Sequence, residues 1–208
     1  MIVEKQETGP MPVNTYILKD EKSKEAILID VGGNFEQIKN QIELQGYKIK
    51  FVLNTHGHFD HVYGEPYIQS NYPDIPIYIH KDDLGHVDKL KEEMNFFGFN
   101  NGNEKLILNK FIDENSILTI GDNKISIFHT PGHSKGSLSF YVDKKLFSGD
   151  ALFYRSIGRT DFYDGDYNTL INSIKQKLFS LPDDTVVYPG HGPSTTIRDE
   201  KLYNEYLK

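Results

Sequence analysis

Short apolar runs alternate with clusters of glycine, proline, asparagine and charged residues along the whole chain. Runs rich in isoleucine, leucine, valine and aromatic residues, bounded by such turn signals, are typical of β-strands. Turns at 121–124 and 143–145 are expected to join hairpins, and the last strand is expected to lead into a histidine-containing loop. The pattern predicts strands within residues 15–20, 25–30, 50–53, 75–80, 114–120, 124–129, 137–142, 145–150 and 184–189.

Helical spacing of apolar residues appears in the segments between these strands. It predicts helices within 34–47, 62–73, 81–97 and 166–182, and a loop over 98–104. Gly46 is the expected end of the first helix. Asn168 is the expected N-cap of the last helix, whose Leu170, Ile174, Leu178 and Leu181 share one face. Segment 95–99 is predicted to be buried in the core, with an exposed hydrophobic loop over the site or at a dimer contact as the alternatives.

The two halves of the chain repeat one order of elements. A strand followed by aspartate occurs at 27–30 and again at 146–150, and a strand followed by a histidine loop occurs at 51–58 and 186–192. Two similar β-rich halves that pack face to face, with helices outside, would give an αββα four-layer sandwich of two mixed sheets. We therefore expect an α/β (α+β) protein with a single domain over residues 1–208.

Composition excludes several classes of function. The net charge of −7, without a basic run, argues against nucleic-acid binding and against docking on anionic membranes. The chain has no cysteine, so disulfides, thiolate metal sites and a cysteine nucleophile are excluded. No secretion signal and no apolar run of about 18 residues is present, as expected for a cytoplasmic enzyme that acts on a small molecule.

Histidine and aspartate follow the predicted strands in four glycine-flanked loops. Alternate residues of an extended segment project to the same side, so His56 and His58 are placed to bind one cation, and the next residues a second. Imidazole and carboxylate ligands suit Zn²⁺, Fe²⁺ or Mn²⁺, and two such ions about 3.5–4 Å apart need roughly seven protein ligands. The candidate ligands are His56, His58, Asp60, His61, His133, Asp150 and His191.

The motifs THGHFDH, TPGHSKGSL, FSGDALF and YPGHGPST together resemble the metallo-β-lactamase superfamily, in order and over nearly the whole chain. The resemblance implies the αββα sandwich and a site for two divalent metal ions, zinc by preference and iron or manganese otherwise. It implies that Asp150 bridges the two ions. It assigns His56, His58 and His133 to the first ion, and Asp60, His61 and His191 to the second.

Within that superfamily, residues 151–170 and the segment PGHGPST resemble short, single-domain glyoxalase II-like hydrolases. The resemblance implies hydrolysis of a thioester such as S-lactoylglutathione by a metal-bridging hydroxide, with Asp60 and Asp150 as the catalytic carboxylates. The C-terminal region through which full-length glyoxalase II binds glutathione is expected to be absent. The alternatives are a persulfide dioxygenase with one iron on His56, His133 and Asp150, or a hydrolase of another small ester or lactone.

Substrate contacts are expected from the segment that follows Asp150. Arg159 is a candidate carboxylate binder, because guanidinium holds a carboxylate through two hydrogen bonds. An ion pair of Arg159 with Asp161 or Asp164 is the alternative. Tyr154, Arg155 and Tyr163 are candidate pocket residues, and Asp30 and Thr55 are candidate supports of the metal ligands. His80, His86 and His129 are expected to be packing or surface residues. The oligomeric state stays open.

Overall fold

A computed structural model of the protein describes residues 1–99 and 106–208. The strands are β1 (Ile2–Thr8), β2 (Val13–Lys19), β3 (Glu25–Ile29), β4 (Lys48–Leu53), β5 (Ile77–Ile79), β6 (Lys110–Phe111), β7 (Leu118–Ile120), β8 (Asn123–His129), β9 (Leu138–Val142), β10 (Lys145–Gly149), β11 (Leu152–Phe153), β12 (Ser156–Ile157), β13 (Val186–Pro189) and β14 (Thr195–Thr196). The α-helices are α1 (Phe35–Leu44), α2 (Phe59–Val62), α3 (Glu65–Asn71), α4 (Leu84–Asp88), α5 (Leu90–Phe96), α6 (Tyr167–Gln176) and α7 (Ile197–Tyr203). Short 3₁₀ helices cover Lys81–Asp83, Leu178–Ser180 and Glu205–Leu207.

Within the described residues, the strands form two six-stranded sheets and one two-stranded ribbon. The first sheet has the order β1-β2-β3-β4-β5-β6, and the second has the order β14-β13-β10-β9-β8-β7. Both are mixed. In the first sheet β2 and β3 are antiparallel, whereas β3 and β4 are parallel. In the second sheet β9 and β10 are antiparallel, whereas β10 and β13 are parallel.

The layers follow from the alternation of side chains along each strand. On β2, Tyr16 and Leu18 pack against the second sheet, while Ile17 between them packs under α1. On β10, Phe147 faces the first sheet and Leu146 faces α6 and α7. Burying each such side chain contributes about 1.5–3 kcal/mol, and a slip of one residue would turn it to the wrong layer. The predicted αββα sandwich with two mixed sheets is confirmed.

Most predicted elements are confirmed, and their ends shift by a few residues. Helix α1 buries Phe35, Ile38 and Ile42, and Gly46 follows it with a positive φ of 78°. Both predicted hairpins are present, as β7–β8 and β9–β10. The predicted loop over 98–104 lies outside the described residues from position 100 onward. Strand β1, the short β6 and the β11–β12 ribbon escaped the prediction because they are short or half-exposed and lack a strong apolar pattern.

Three local predictions are wrong. The N-cap of α6 is Asp166 rather than Asn168, because the Asp166 carboxylate accepts a hydrogen bond from the Thr169 N–H at 2.7 Å. Segment 81–97 is not one helix, since the Lys89 N–H bonds to the His86 carbonyl in a tight turn between α4 and α5. Strand β13 is not the last strand, because β14 pairs with it and Thr196 then caps α7.

The topology gathers several loops at one edge. Strands β3, β4 and β5 are parallel to one another, as are β10 and β13, so the carboxyl ends within each set lie at the same edge. The Leu138 N–H donates to the Thr55 carbonyl at 2.7 Å and joins the two sheets at that edge. In the part of the chain that the structure describes, no helix is long and apolar enough to cross a membrane.

Candidate metal centre

Three imidazoles from both halves of the chain meet at the shared edge. His56 and His58 follow β4, and His133 follows β8. The His58 Nδ1 atom lies 3.1 Å from His56 Nε2 and 2.9 Å from His133 Nε2. All three candidate ligand atoms lie within 4.8 Å of one another, which is the spacing that a single ion needs.

A second group lies beside the first. Asp60, His61 and His191 also present three ligand atoms within 4.8 Å of one another. The Asp60 Oδ2 atom is 3.2 Å from His191 Nε2 and 3.8 Å from His61 Nε2. Asp60 and His61 lie on the short helix α2, and the His61 ring lies beside that of His56 with centroids 4.0 Å apart.

The Asp150 carboxylate lies between the two groups. Its Oδ2 atom is 3.5 Å from His133 Nε2 and 3.7 Å from His191 Nε2. Its Oδ1 atom is 3.4 Å from His61 Nε2. Asp150 therefore contacts members of both groups, which is the geometry that a bridging carboxylate requires.

Hydrogen bonds on the far side of the rings set their orientation. His133 Nδ1 lies 2.7 Å from the Arg159 carbonyl, and His191 Nδ1 lies 2.7 Å from the Pro12 carbonyl. Both rings therefore donate through Nδ1 and turn Nε2 toward the centre. Asp30 contacts His61 as an ion pair, with its Oδ2 atom 2.9 Å from His61 Nδ1, although the geometry is not that of a hydrogen bond.

Asp30 and Thr55 form the support that the sequence analysis predicts. The Thr55 N–H donates to Asp30 Oδ1 at 2.8 Å, and the Thr55 hydroxyl donates to Asp30 Oδ2 at 2.7 Å. The hydroxyl oxygen of Thr55 also lies 3.1 Å from His56 Nδ1. This pair thus contacts one imidazole of each group, His56 and His61.

Burial and the surrounding carboxylates shift the pKa values of the residues at this centre in different directions. Burial, with the neighbouring imidazoles, lowers the pKa of His56 and of His58 well below the ordinary value, so both rings are neutral. Burial opposes protonation of His61, but the carboxylates of Asp150, Asp30 and Asp60 outweigh it and raise the pKa of His61. Burial also opposes ionisation of Asp150, and His61, His133 and His191 nevertheless hold its pKa far below the ordinary range.

Two buried atoms at the centre lack partners that fit them. His61 Nε2 and Asp150 Oδ1 make no hydrogen bond within the described residues, although both are shielded from water. Buried polar atoms without partners are costly, and a cation between an imidazole nitrogen and a carboxylate oxygen would satisfy both. The set of nitrogen and oxygen donors therefore fits divalent transition metals.

A further carboxylate ties the two ligand loops together and was not among the predicted site residues. Asp83 is fully buried, and its carboxylate accepts hydrogen bonds from the Gly57 N–H at 2.9 Å, the Gly136 N–H at 2.5 Å and the Ser134 hydroxyl at 2.7 Å. Gly57 lies between His56 and His58, and Ser134 follows His133. The sequence signal was weak, because Asp83 does not directly follow β5 but ends the 3₁₀ helix Lys81–Asp83.

The three histidines outside the two ligand groups are His80, His86 and His129. His86 is buried, not on the surface, and its Nε2 atom is 2.9 Å from Asp164 Oδ2. Its ring contacts that of His58 at a centroid distance of 4.5 Å. His80 and His129 stack on each other at 4.6 Å, which agrees with their predicted packing role.

A cavity of about 560 Å³ opens from the metal centre. Arg159 and Tyr163 line it, but Tyr154 and Arg155 are not among its described lining residues. The Arg159 guanidinium donates two hydrogen bonds of 2.9 Å to the Asp161 carboxylate, so the ion pair given as the alternative is present. Tyr154 contacts Arg155 on the outside instead.

The prediction that segment 95–99 is buried in the core is wrong for its first two phenylalanines. The side chain of Phe96 is 85% exposed and that of Phe97 is 45% exposed, and both line the cavity. The alternative, an exposed segment over the site, is what the structure contains. In the sequence Phe96 and Phe97 have the pattern of a helix end, which does not indicate whether protein or solvent surrounds them.

Comparison with known proteins agrees with this architecture. A model of the metallo-β-lactamase superfamily matches residues 8–191. The chain is 38% identical to the hydroxyacylglutathione hydrolase GloC of Haemophilus influenzae over 93% of this chain and 91% of that protein. Among solved structures, the BLEG-1 B3 metallo-β-lactamase has a TM-score of 0.88 at 36% identity, covering 99% of both chains. TTHA1623 in a di-iron-bound form has a TM-score of 0.83 at 32% identity, covering 99% of this chain and 100% of that one.

The chain therefore belongs to the metallo-β-lactamase superfamily, and it has the fold of that family. Its histidine and aspartate groups are those of a metal-dependent hydrolase with a di-metal site.

Proposed function

We propose that this protein hydrolyses thioesters, with S-lactoylglutathione as the reference substrate. The observation that carries the proposal is the position of Asp150 between two groups of three ligands, at the floor of a cavity large enough for a small molecule. The likeness to GloC, which is named a hydroxyacylglutathione hydrolase, supports the choice of substrate class.

In this proposal His56, His58 and His133 would hold one metal ion, and Asp60, His61 and His191 would hold the other. Asp150 is placed to be a ligand of both. Bound divalent ions would lower the pKa of a coordinated water toward about 7 and polarise the substrate carbonyl. We propose zinc as the native metal, with iron or manganese as alternatives. The likeness to TTHA1623 in its di-iron-bound form supports iron as an alternative.

The chain's own residues supply the proton transfer and the shape of the site. Asp60 lines the cavity, and its carboxylate is proposed to accept the proton that the attacking water loses. The water oxygen adds to the carbonyl carbon, the carbon–sulfur bond breaks and the thiolate leaves. No side chain needs to act as a nucleophile, which agrees with the absence of cysteine from the chain.

The test is the rate of S-lactoylglutathione cleavage by purified protein of measured metal content. A kcat/KM near or above about 10⁴ M⁻¹s⁻¹ lies in the range of enzymes with their substrates and would support the proposal. A rate lower by orders of magnitude, with two metals bound per chain, would remove glutathione thioesters as the substrate.

A second candidate is β-lactam hydrolysis, because BLEG-1, at 36% identity over 99% of both chains, is named a B3 metallo-β-lactamase. Cleavage of a chromogenic cephalosporin under the same conditions measures it directly.

Oxidation of a persulfide at a single iron on His56, His133 and Asp150 is the other alternative, and oxygen uptake by an iron-loaded sample without thioesterase activity would favour it. If the thioester, β-lactam and persulfide assays all show no activity, a small ester or lactone is the remaining candidate substrate. We further propose a cytoplasmic location and no nucleic-acid or membrane partner.

A further inference from the structure

The walls of the cavity above the metal centre are mainly aromatic. On one side Phe162 lies against the imidazoles of the first group, with ring centroids 5.1 Å from His58 and 5.8 Å from His133. Phe153 lies 6.4 Å from the ring of His191 in the second group. A molecule whose carbonyl reaches the metal centre therefore passes between aromatic rings.

The end of α5 also lines the cavity. Phe97 stacks on Phe59 with centroids 5.0 Å apart, and Phe96 meets Phe97 edge to face at 5.1 Å. Phe96 is nevertheless 85% exposed, and Tyr163, whose ring lies 5.4 Å from that of His86, is 69% exposed. Aromatic side chains grouped around a pocket and left open to water are typical of binding surfaces, because the exposed apolar area is stabilised only when something covers it.

The charges of the cavity do not favour an anionic ligand tail. Among the described residues that line it, Arg159 is the one lysine or arginine, and its guanidinium is engaged by Asp161 while it lies 4.7 Å from the Phe162 ring. Lys89 lies 4.7 Å from the ring of Tyr163 but is not among those lining residues. Glu93, whose Oε1 is 3.3 Å from His86 Nδ1, adds an acidic group to the wall.

We propose that the substrate carries a large, uncharged apolar group beside the scissile carbonyl, and that this group packs against the cavity-lining side chains of Phe96, Phe97, Phe162 and Tyr163. The inference rests on the proposed function and narrows it from thioesters in general to acyl thioesters with an apolar acyl chain or ring. A short hydroxyacyl group, as in S-lactoylglutathione, would leave these aromatic side chains in contact with water, so this reference thioester is expected to be cleaved more slowly than thioesters with longer apolar acyl groups.

Binding is measured first, separately from catalysis. The probes are S-alkyl N-acetylcysteamine thioethers, from ethyl to hexyl, which are uncharged and have no bond to hydrolyse. Isothermal titration calorimetry with the zinc-loaded protein is expected to give a Kd that falls about fourfold for each added methylene, as burial of apolar surface predicts. A Kd that does not change with chain length would overturn the proposal.

The kinetic arm uses S-acyl N-acetylcysteamine thioesters from acetyl to hexanoyl, so that the leaving thiol stays constant. The value of kcat/KM is expected to rise by a similar factor for each methylene. In the variant Phe96→Ser this dependence on chain length is expected to weaken, and the exposure of Phe96 means that little core packing is lost. Leu44→Ser is the matched control, because Leu44 is 89% exposed and lies on α1, away from the cavity. A slope that Phe96→Ser leaves unchanged overturns the proposal.

The two proposals fail in different ways. If the metal-loaded protein cleaves neither S-lactoylglutathione nor any thioester of the series from acetyl to hexanoyl, then thioester hydrolysis is rejected, while the thioether titration still tests the cavity. If it cleaves thioesters at rates that are flat or fall with chain length, only the apolar acyl group is rejected. If light scattering shows that Phe96→Ser converts a dimer to a monomer, then a second copy of the chain covers this surface and the proposal is wrong.

Discussion

Replacing Asp83 by asparagine tests whether one buried carboxylate holds the two ligand loops together. Asp83 Oδ2 accepts hydrogen bonds from the Gly57 N–H and the Ser134 hydroxyl, and Oδ1 accepts one from the Gly136 N–H. Asparagine has nearly the same volume but only one acceptor oxygen. In its best orientation the amide keeps the two bonds at Oδ2 and turns its NH₂ toward Gly136, whose N–H then has no acceptor.

The magnitude follows from that loss. One hydrogen bond to a charged group contributes about 1.5–3 kcal/mol, and a buried N–H left without a partner costs about 1–3 kcal/mol. Burial raises the pKa of Asp83 above its ordinary value, so the neutral amide recovers part of the cost of burying the charge. We expect the free energy of unfolding to fall by about 2–4 kcal/mol, and metal affinity to fall about 10- to 100-fold because the loops move apart.

Guanidinium denaturation of the metal-free protein, followed by circular dichroism, measures the first effect, and competition with a chelator measures the second. Asp82→Asn is the matched control, because Asp82 is the neighbouring residue and its side chain is 47% exposed. If the two variants unfold at the same denaturant concentration and bind metal equally well, Asp83 is not a clamp and the reasoning is wrong.

Three further outcomes follow from the same geometry. Asp150→Asn is expected to lower bound metal from two ions per chain toward one and activity by at least ~100-fold. Elemental analysis with kcat measures both, and unchanged values would exclude a bridging role. Gly190→Ala is expected to abolish metal binding in a folded protein, because its Cβ would lie 2.2 Å from Asp150 Oδ1 and 2.7 Å from His61 Cε1. Gly85→Ala, whose Cβ has 3.5 Å of room, should bind metal normally. Glu65 is fully buried, and burial raises its pKa well above the ordinary value. Above about pH 4.5 the carboxyl ionises in the unfolded chain while the folded state retains its proton, so the free energy of unfolding falls as pH rises past that value. Glu65→Gln should therefore gain about 1–3 kcal/mol of stability at pH 8 and little at pH 5. Denaturation curves at both pH values decide this, and equal gains would contradict it.

The sequence was a sufficient guide wherever a property depends on neighbouring residues. Alternation along β2 predicts that Tyr16 and Leu18 share a face and that Ile17 lies on the other, because successive strand residues point to opposite sides. Helical spacing likewise predicts the buried face of α1. The spacing of His56 and His58 predicts a shared cation for the same local reason, since both lie in one short extended segment.

The tertiary structure alone decided what depends on distant parts of the chain. The contacts of His133, Asp150 and His191 with the loop after β4 arise only when the two sheets pack face to face. The same packing buries Asp83 between two loops. It leaves Phe96 exposed beside the cavity. The sequence pattern could not show this, because an apolar residue in a helix gives the same pattern whether protein, substrate or water covers it. Local periodicity encodes which side of an element is apolar, whereas the surface that meets that side is set by the packing of whole layers.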